Sequence, residues 1–409
     1  MGYQTFSTPR IRKDFDLGAL VIGFIIFPIL TIPKLLHKSK NNYVPAQIML
    51  CIFLGLISVL SWPPRADTYR HAMTFYRIQS LSLDETFVKY YRGGDFVLLI
   101  CDYIFGRLGL SFEFLRLLFM ATAYGLAFKL YNLTCRYKQL KSGSKWFIFW
   151  MFILMVPFYD IVYAIRYGFA MMFVCYFIVK RYFIEDKSKY DYLFLVLGFI
   201  VHFGTAWLIG LCIIAPLIPN RCNKGLYAAI FICAIFISMH STQIIQFLAH
   251  QIYSEEMVNA YTAEDYAQRF IFHGFWGTML EYARNVPLYL FISIGLIFMP
   301  YNKGSKLFLC IILIWAFTFD LWEINRRIGC SICILGPAFA ISLFRLRKLV
   351  LSILTVSSLI TAIIIWRQYT VSNLLYVFTP LPISITQNYD YNWLKDNVTR
   401  EGTLKVQYH

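Results

Sequence analysis

Residues 146–183 read WFIFWMFILMVPFYDIVYAIRYGFAMMFVCYFIVKRYF, and this stretch decides the class of fold. It holds two apolar runs, 146–162 and 167–183; Asp160 near the end of the first and Arg166 just before the second mark the turn between them, and the second ends with Lys180 and Arg181 in its last residues. Each run is close to the length that crosses the hydrocarbon core of a bilayer. The runs are continuously apolar, not alternating, which excludes the strands of a barrel. Helices are then the only structure that satisfies its own backbone in lipid. Similar runs recur at 17–33, 46–62, 112–134, 226–248, 283–299, 307–322, 328–344 and 349–366. The expected fold is an all-α polytopic integral membrane protein.

Composition agrees. Of 409 residues, 59% are hydrophobic and 15% charged, against about 25% charged in soluble proteins. A soluble enzyme, a disordered chain and a disulfide scaffold are excluded. The net charge of +16 could suggest nucleic acid. The basic residues, however, sit in short connections between apolar runs, where membrane topology accounts for them. The ten cysteines lie mostly inside apolar segments, where Cys behaves as a small hydrophobe. Cys330 and Cys333 form one C-x-x-C with no second pair, so neither a metal site nor a cofactor is expected. No small-residue cleavage site follows the first apolar run, so no cleaved leader is expected.

Two segments do not read as simple spans. Residues 96–111 carry Asp102 and Arg107 and are interrupted by Gly106 and Gly109; residues 192–218 are long and broken at His202-Phe203-Gly204. Lysine usage resolves both. Thirteen of eighteen lysines fall in six short connections, at 34–40, 138–145, 180–189, 224, 303–306 and 348. Lysine-rich short connections stay cytoplasmic. All six do so together only if 96–111 does not cross and 192–218 enters and returns as a re-entrant or short-helix hairpin. The result is about ten full crossings plus the hairpin, with both termini on the outer face. The domain expectation is one transmembrane unit, 1–366, with outer loops 63–95 and 249–282, and an outer-face tail, 367–409.

On that outer face the basic residues are mostly arginine, including Arg65, Arg70, Arg77, Arg92, Arg166, Arg269, Arg284, Arg326, Arg327 and Arg367. Topology alone does not select arginine over lysine. The planar guanidinium fork binds phosphate oxygens in pairs and never deprotonates, so a phosphate-bearing substrate is expected there; headgroup snorkelling is the competing account.

Four places concentrate ionisable groups near the membrane, where each is a functional candidate. Asp67, Arg70 and His71 share one face of a helix at the mouth of the second span, which also fits a plain interfacial helix. Asp160, Tyr163, Arg166 and Tyr167 line a tight connection. Arg166 opens a helix there, where the positive dipole end adds to its charge in favour of a diphosphate; an Asp160–Arg166 ion pair is the alternative. His202 stands at the hairpin tip, as a structural hydrogen bonder or as a neutral general base. Asp320, Glu323, Arg326 and Arg327 form a last connection, for a second phosphate group or for a Glu323–Arg327 ion pair. No Walker A, H-E-x-x-H or G-x-S-x-G sequence is present, and no two matching halves argue for an inverted-repeat transporter.

The order of several short motifs carries a resemblance. Ala66-Asp67-Thr68-Tyr69 is followed by Gly94-Asp95-Phe96-Val97, then Leu108-Gly109-Leu110-Ser111, then Ile165-Arg166-Tyr167-Gly168-Phe169-Ala170 and Val201-His202-Phe203-Gly204. This resembles the EpsG-like branch of the Wzy-type polysaccharide polymerases, O-antigen polymerases included, over most of residues 17–345. Typical members follow the His with an aromatic and a Ser; here Gly204 takes the Ser position. The resemblance implies a fold similar to the GT-C glycosyltransferases and a metal-independent enzyme in a bacterial inner membrane, its active site facing the periplasm. It further implies a growing glycan on undecaprenyl diphosphate as donor and a lipid-linked repeat unit as acceptor. A chain-length regulator protein is a further partner the resemblance allows; nucleic acid is not. Arg166, with Arg326 and Arg327, would hold the diphosphate, and Arg70, His71, Tyr163 and Tyr167 would bind substrate. His202 or Asp67 would take the acceptor proton. The competing classes are a flippase or transporter of the same lipid-linked units, a membrane O-acyltransferase, and a ligase joining the glycan to another lipid.

Overall fold

The order in which apolar runs alternate with polar connections is the order in which helices begin and end. The computed structural model describes residues 16–60, 66–91, 96–138, 142–162, 165–186, 188–217, 223–240, 285–298 and 303–343, with a few single positions beyond. Single positions apart, the expected outer loop 249–282, the run 349–366 and the tail 367–409 lie outside them. Every regular element among the described residues is helical.

The helices are α1 (Asp16–Ile26), α2 (Pro28–Lys40), α3 (Val44–Leu60), α4 (Ala66–Ile78), α5 (Leu83–Tyr90), α6 (Phe96–Arg107), α7 (Phe112–Lys138), α8 (Ser142–Leu154), α9 (Phe158–Val162), α10 (Arg166–Ile178), α11 (Tyr192–Val201), α12 (Ala206–Ile214), α13 (Lys224–His240), α14 (Val286–Phe298), α15 (Lys303–Phe317) and α16 (Trp322–Leu343). Two of them hold stretches long and apolar enough to cross a membrane, Phe112–Tyr137 and Trp322–Ile341, and several shorter apolar helices accompany these. With exposed Ile22, Leu30, Leu193, Ile213 and Phe236 on its surface, the molecule has the apolar exterior of a membrane protein.

The run 17–33, expected as one span, is two helices. The chain breaks at Phe27 because Pro28 opens α2 at a position that needs no N–H. α2 then folds back so closely that a Cβ on Gly23 would stand 3.3 Å from the Thr31 methyl.

Side-chain contacts sort the helix ends into two groups. Tyr131 donates to the Lys40 carbonyl at 2.6 Å, and the Lys40 ammonium lies 5.2 Å over the Trp146 ring, next to Lys145. Lys129 lies over Tyr176 and Phe194, and Lys180 pairs with Asp191 at 2.7 Å. A Cβ on Gly304, beside Lys303, would meet the Phe183 ring at 2.8 Å, and Lys224 donates to the Ile297 carbonyl at 3.3 Å. These lysine-bearing turns therefore share one end of the molecule. The starts of α7, α10 and α16 share the other.

α10 and α11 run antiparallel. Tyr167 meets His202 at the arginine end, and Phe177 meets Tyr192 at the lysine end, with ring centroids 5.6 and 5.5 Å apart. α12 then returns, because Tyr182 at the lysine end donates to the Cys212 carbonyl at 2.9 Å. Residues 192–217 are thus a hairpin with its tip at 202–205, each arm about 15 Å long at 1.5 Å per residue. α6 is also part of an excursion that leaves and returns: Arg107 donates to the Leu81 carbonyl at 2.6 Å, so both feet of 81–107 stand together. The outward leg, α5, has eight residues, about 12 Å, too short to cross.

Candidate functional site

Arg166 opens α10, and the chain reaches it through a strained residue. Ile165, buried and β-branched, stands at φ 42°, in the left-handed region that favours glycine. Such strain, about 1–3 kcal/mol, persists only where the surroundings over-determine the backbone, and it gathers at functional sites. The preceding turn, α9, packs against α10 at Gly168. A Cβ there would stand 2.8 Å from the Asp160 carbonyl carbon and 2.9 Å from Ile161 Cγ1, so glycine is what lets Asp160 come this near to Arg166.

The hairpin tip supplies His202. Its backbone is fully engaged: its N–H donates to Gly198 at 3.1 Å, and its carbonyl accepts from the Thr205 N–H and hydroxyl at 3.1 and 3.0 Å. The imidazole packs edge-on against Tyr167, and its buried Nδ1 has no hydrogen-bond partner among the described residues. The charges of Arg166 and Arg327 both act on it.

The start of α16 closes the other side. Tyr167 donates to the Arg327 carbonyl at 2.9 Å, and the Arg327 guanidinium lies 5.3 Å over the Tyr167 ring. Glu323 accepts from Arg327 Nε at 2.9 Å, and from Arg326 Nε and Nη2 at 3.0 and 2.7 Å. Arg326 Nη1 is ion-paired with Asp160. Asp160 and Glu323 are buried, as paired carboxylates can be. Arg326 and Arg327 thus share the carboxylates of Asp160 and Glu323.

From α4 comes His71, buried, with its Nε2 unpartnered among the described residues. Burial holds its pKa well below the usual imidazole value; the Arg166, Arg70 and His202 charges push the same way. It is a neutral imidazole at pH 7. Arg70, on the same helix, is exposed.

The structure therefore gathers Arg166, Tyr167, His202, His71, Arg326 and Arg327 at one end of the molecule, with Arg70 beside them. Asp67 lies in α4 one turn before His71, while Tyr163 lies outside the described residues. Of the ion pairs weighed from the sequence, Glu323–Arg327 is present; Asp160 reaches across to Arg326, a partner 166 positions away. Sequence reasoning did not find Trp322, whose ring lies 5.8 Å beneath Arg326. Nor did it find buried Glu113 and Arg116 in the first turns of α7.

An apolar helical exterior and an arginine–histidine cluster gathered at one set of helix ends define a helical membrane protein with a polar site at one end. Residues 46–381 match the model of the EpsG family, and the chain belongs to that family. No curated protein and no solved structure matches it.

Proposed function

We propose that this protein polymerises lipid-linked oligosaccharide repeat units, transferring a growing glycan from undecaprenyl diphosphate to a lipid-linked acceptor unit on the periplasmic face of a bacterial inner membrane. One observation carries the reading: at the start of α10 the His202 ring, its Nδ1 without a hydrogen-bond partner among the described residues, packs edge-on against Tyr167, next to Arg166, whose charge acts on it, and Arg327 lies over the same Tyr167 ring. The family supports a polymerase-like role.

The chemistry follows from these groups. The bond between the glycan's anomeric carbon and a diphosphate oxygen breaks, and its electron pair leaves with the diphosphate. Arg166, at the positive end of the α10 dipole, holds the charge that develops there, and Arg327 adds a second cation. The acceptor hydroxyl oxygen bonds to the anomeric carbon, and its proton passes to neutral His202. Asp67 in α4 is the second candidate acceptor for that proton. A flippase for the same lipid needs polar groups that reach both faces in turn; the cluster described here lies at one end.

The test is the glycan ladder of cells carrying Arg166→Ala or His202→Ala at wild-type protein levels. Removing one preorganised donor slows turnover by about 10²–10³-fold, so the long chains should disappear in both. Wild-type ladders from both variants sink the proposal.

A further inference from the structure

Arg326 and Arg327 are neighbours in sequence, but the structure uses them differently. Arg326 commits three nitrogens to carboxylates: Nε and Nη2 to the two oxygens of Glu323, Nη1 to Asp160. The same Glu323 oxygen that accepts from Arg326 Nη2 accepts from Arg327 Nε. An incoming phosphate at Arg326 would have to displace two buried carboxylates and then lie beside their negative charges. The bidentate fork that suits arginine to phosphate is here already filled by Glu323.

We infer that Arg326 is a positioning residue and not a ligand of the substrate's phosphates: it ties the Asp160 turn to α16 and, through Glu323, sets the orientation of Arg327. The chain of contacts runs from Asp160 to Arg326, Glu323, Arg327, the Tyr167 ring and His202. It couples the two sides of the site through side chains alone. Asp160 and Glu323 thereby acquire a role: each is the buried counter-charge that fixes an arginine in place. The inference rests on the proposed diphosphate chemistry only in the binding arm of its test.

The experiment uses the full chain in lipid nanodiscs, with inorganic diphosphate as the calorimetric probe and Arg166→Gln as control. Arg326→Gln and Arg327→Gln are measured singly and together. A residue that acts only through Arg327 adds nothing once Arg327 is gone, so the double variant should bind within about twofold of Arg327→Gln alone. A double variant showing the product of the two single losses marks Arg326 as an independent phosphate contact and overturns the inference. Arg326→Gln also strands Asp160, and adding Asp160→Asn should recover the melting temperature; a loss left unrecovered overturns the pairing. If Arg166→Gln and Arg327→Gln both leave diphosphate binding unchanged, the diphosphate reading falls, and the melting-temperature rescue decides the inference by itself.

Discussion

Two imidazoles stand close enough to Arg166 for its charge to act on both, and burial first, then that charge, lowers the pKa of each, His202 to about 3. His202 sits on a hairpin tip beside Tyr167, where a proton acceptor is useful. His71 is buried in α4, and its folded pKa lies well below 6.5 because burial and the neighbouring positive charges disfavour the imidazolium. A depressed pKa makes folding sensitive to acid. Above pH 6.5 both states are neutral at residue 71 and nothing is lost. Below it the unfolded chain binds a proton that the folded chain refuses. Stability then falls by up to about 1.4 kcal/mol per pH unit until the folded group also titrates. Thermal unfolding in detergent should show wild type losing stability between pH 6.5 and 5, and His71→Gln losing less over the same window. Equal slopes for the two proteins would mean that His71 is hydrated in the folded state.

At the scale of the helices, two glycines set the distances on which the cluster depends. Gly168 brings α9 against α10, and Gly198 brings α11 against α10, where a Cβ would stand 2.5 Å from Val174 Cγ2 and 3.1 Å from the Ala170 carbonyl oxygen. Gly210, on the returning arm of the same hairpin, has nothing within 4 Å of an added Cβ. Overpacking a close contact costs about 1–3 kcal/mol. Gly198→Ala should therefore lower the denaturation midpoint and shift His202, while Gly210→Ala should leave both stability and glycan length near wild type. Gly168→Ala presses on the backbone of Asp160, so it should shorten the glycan by more than its loss of stability explains. Much of this level was legible in the sequence: the hairpin followed from length and lysine placement, and α10 from an apolar run that begins at Arg166. What escaped has physical causes. The fold-back at Phe27–Pro28 interrupts an apolar run without changing its hydropathy. The Asp160–Arg326 pair joins two connections that carry no periodicity linking them, so local spacing could suggest only the neighbours Arg166 and Arg327.

For the molecule as a whole, lysines mark one group of helix ends, where Arg136 and Arg181 also lie, and the site's arginines mark the other. Lys40, Lys145, Lys180, Lys189, Lys224 and Lys303 belong to one end; Arg166, Arg326 and Arg327 belong to the other. If the lysine end is cytoplasmic, as short lysine-rich connections favour, the arginine cluster lies toward the outer face. With Lys180 at the cytoplasmic boundary the cluster would also be recessed: from Lys180 to Arg166 is fourteen positions along α10 and its π-helical extension, about 21 Å at 1.5 Å per residue, against about 30 Å of hydrocarbon. Backbone as irregular as the 202–205 tip is tolerated at that depth only where it is packed in protein or lines a water-filled cavity. Both feet of the hairpin must then lie on the cytoplasmic side. Tyr190 and Leu217 flank the hairpin and are 72% and 81% exposed, which makes them good reporters. Tyr190→Cys, Leu217→Cys and Lys303→Cys, introduced one at a time into a cysteine-free background, should all react with a membrane-impermeant maleimide from the cytoplasmic side only. A cysteine at 190 and one at 217 that react from opposite sides would turn the hairpin into a crossing and move every later arginine to the wrong face, and a site toward the outer face could not survive that result.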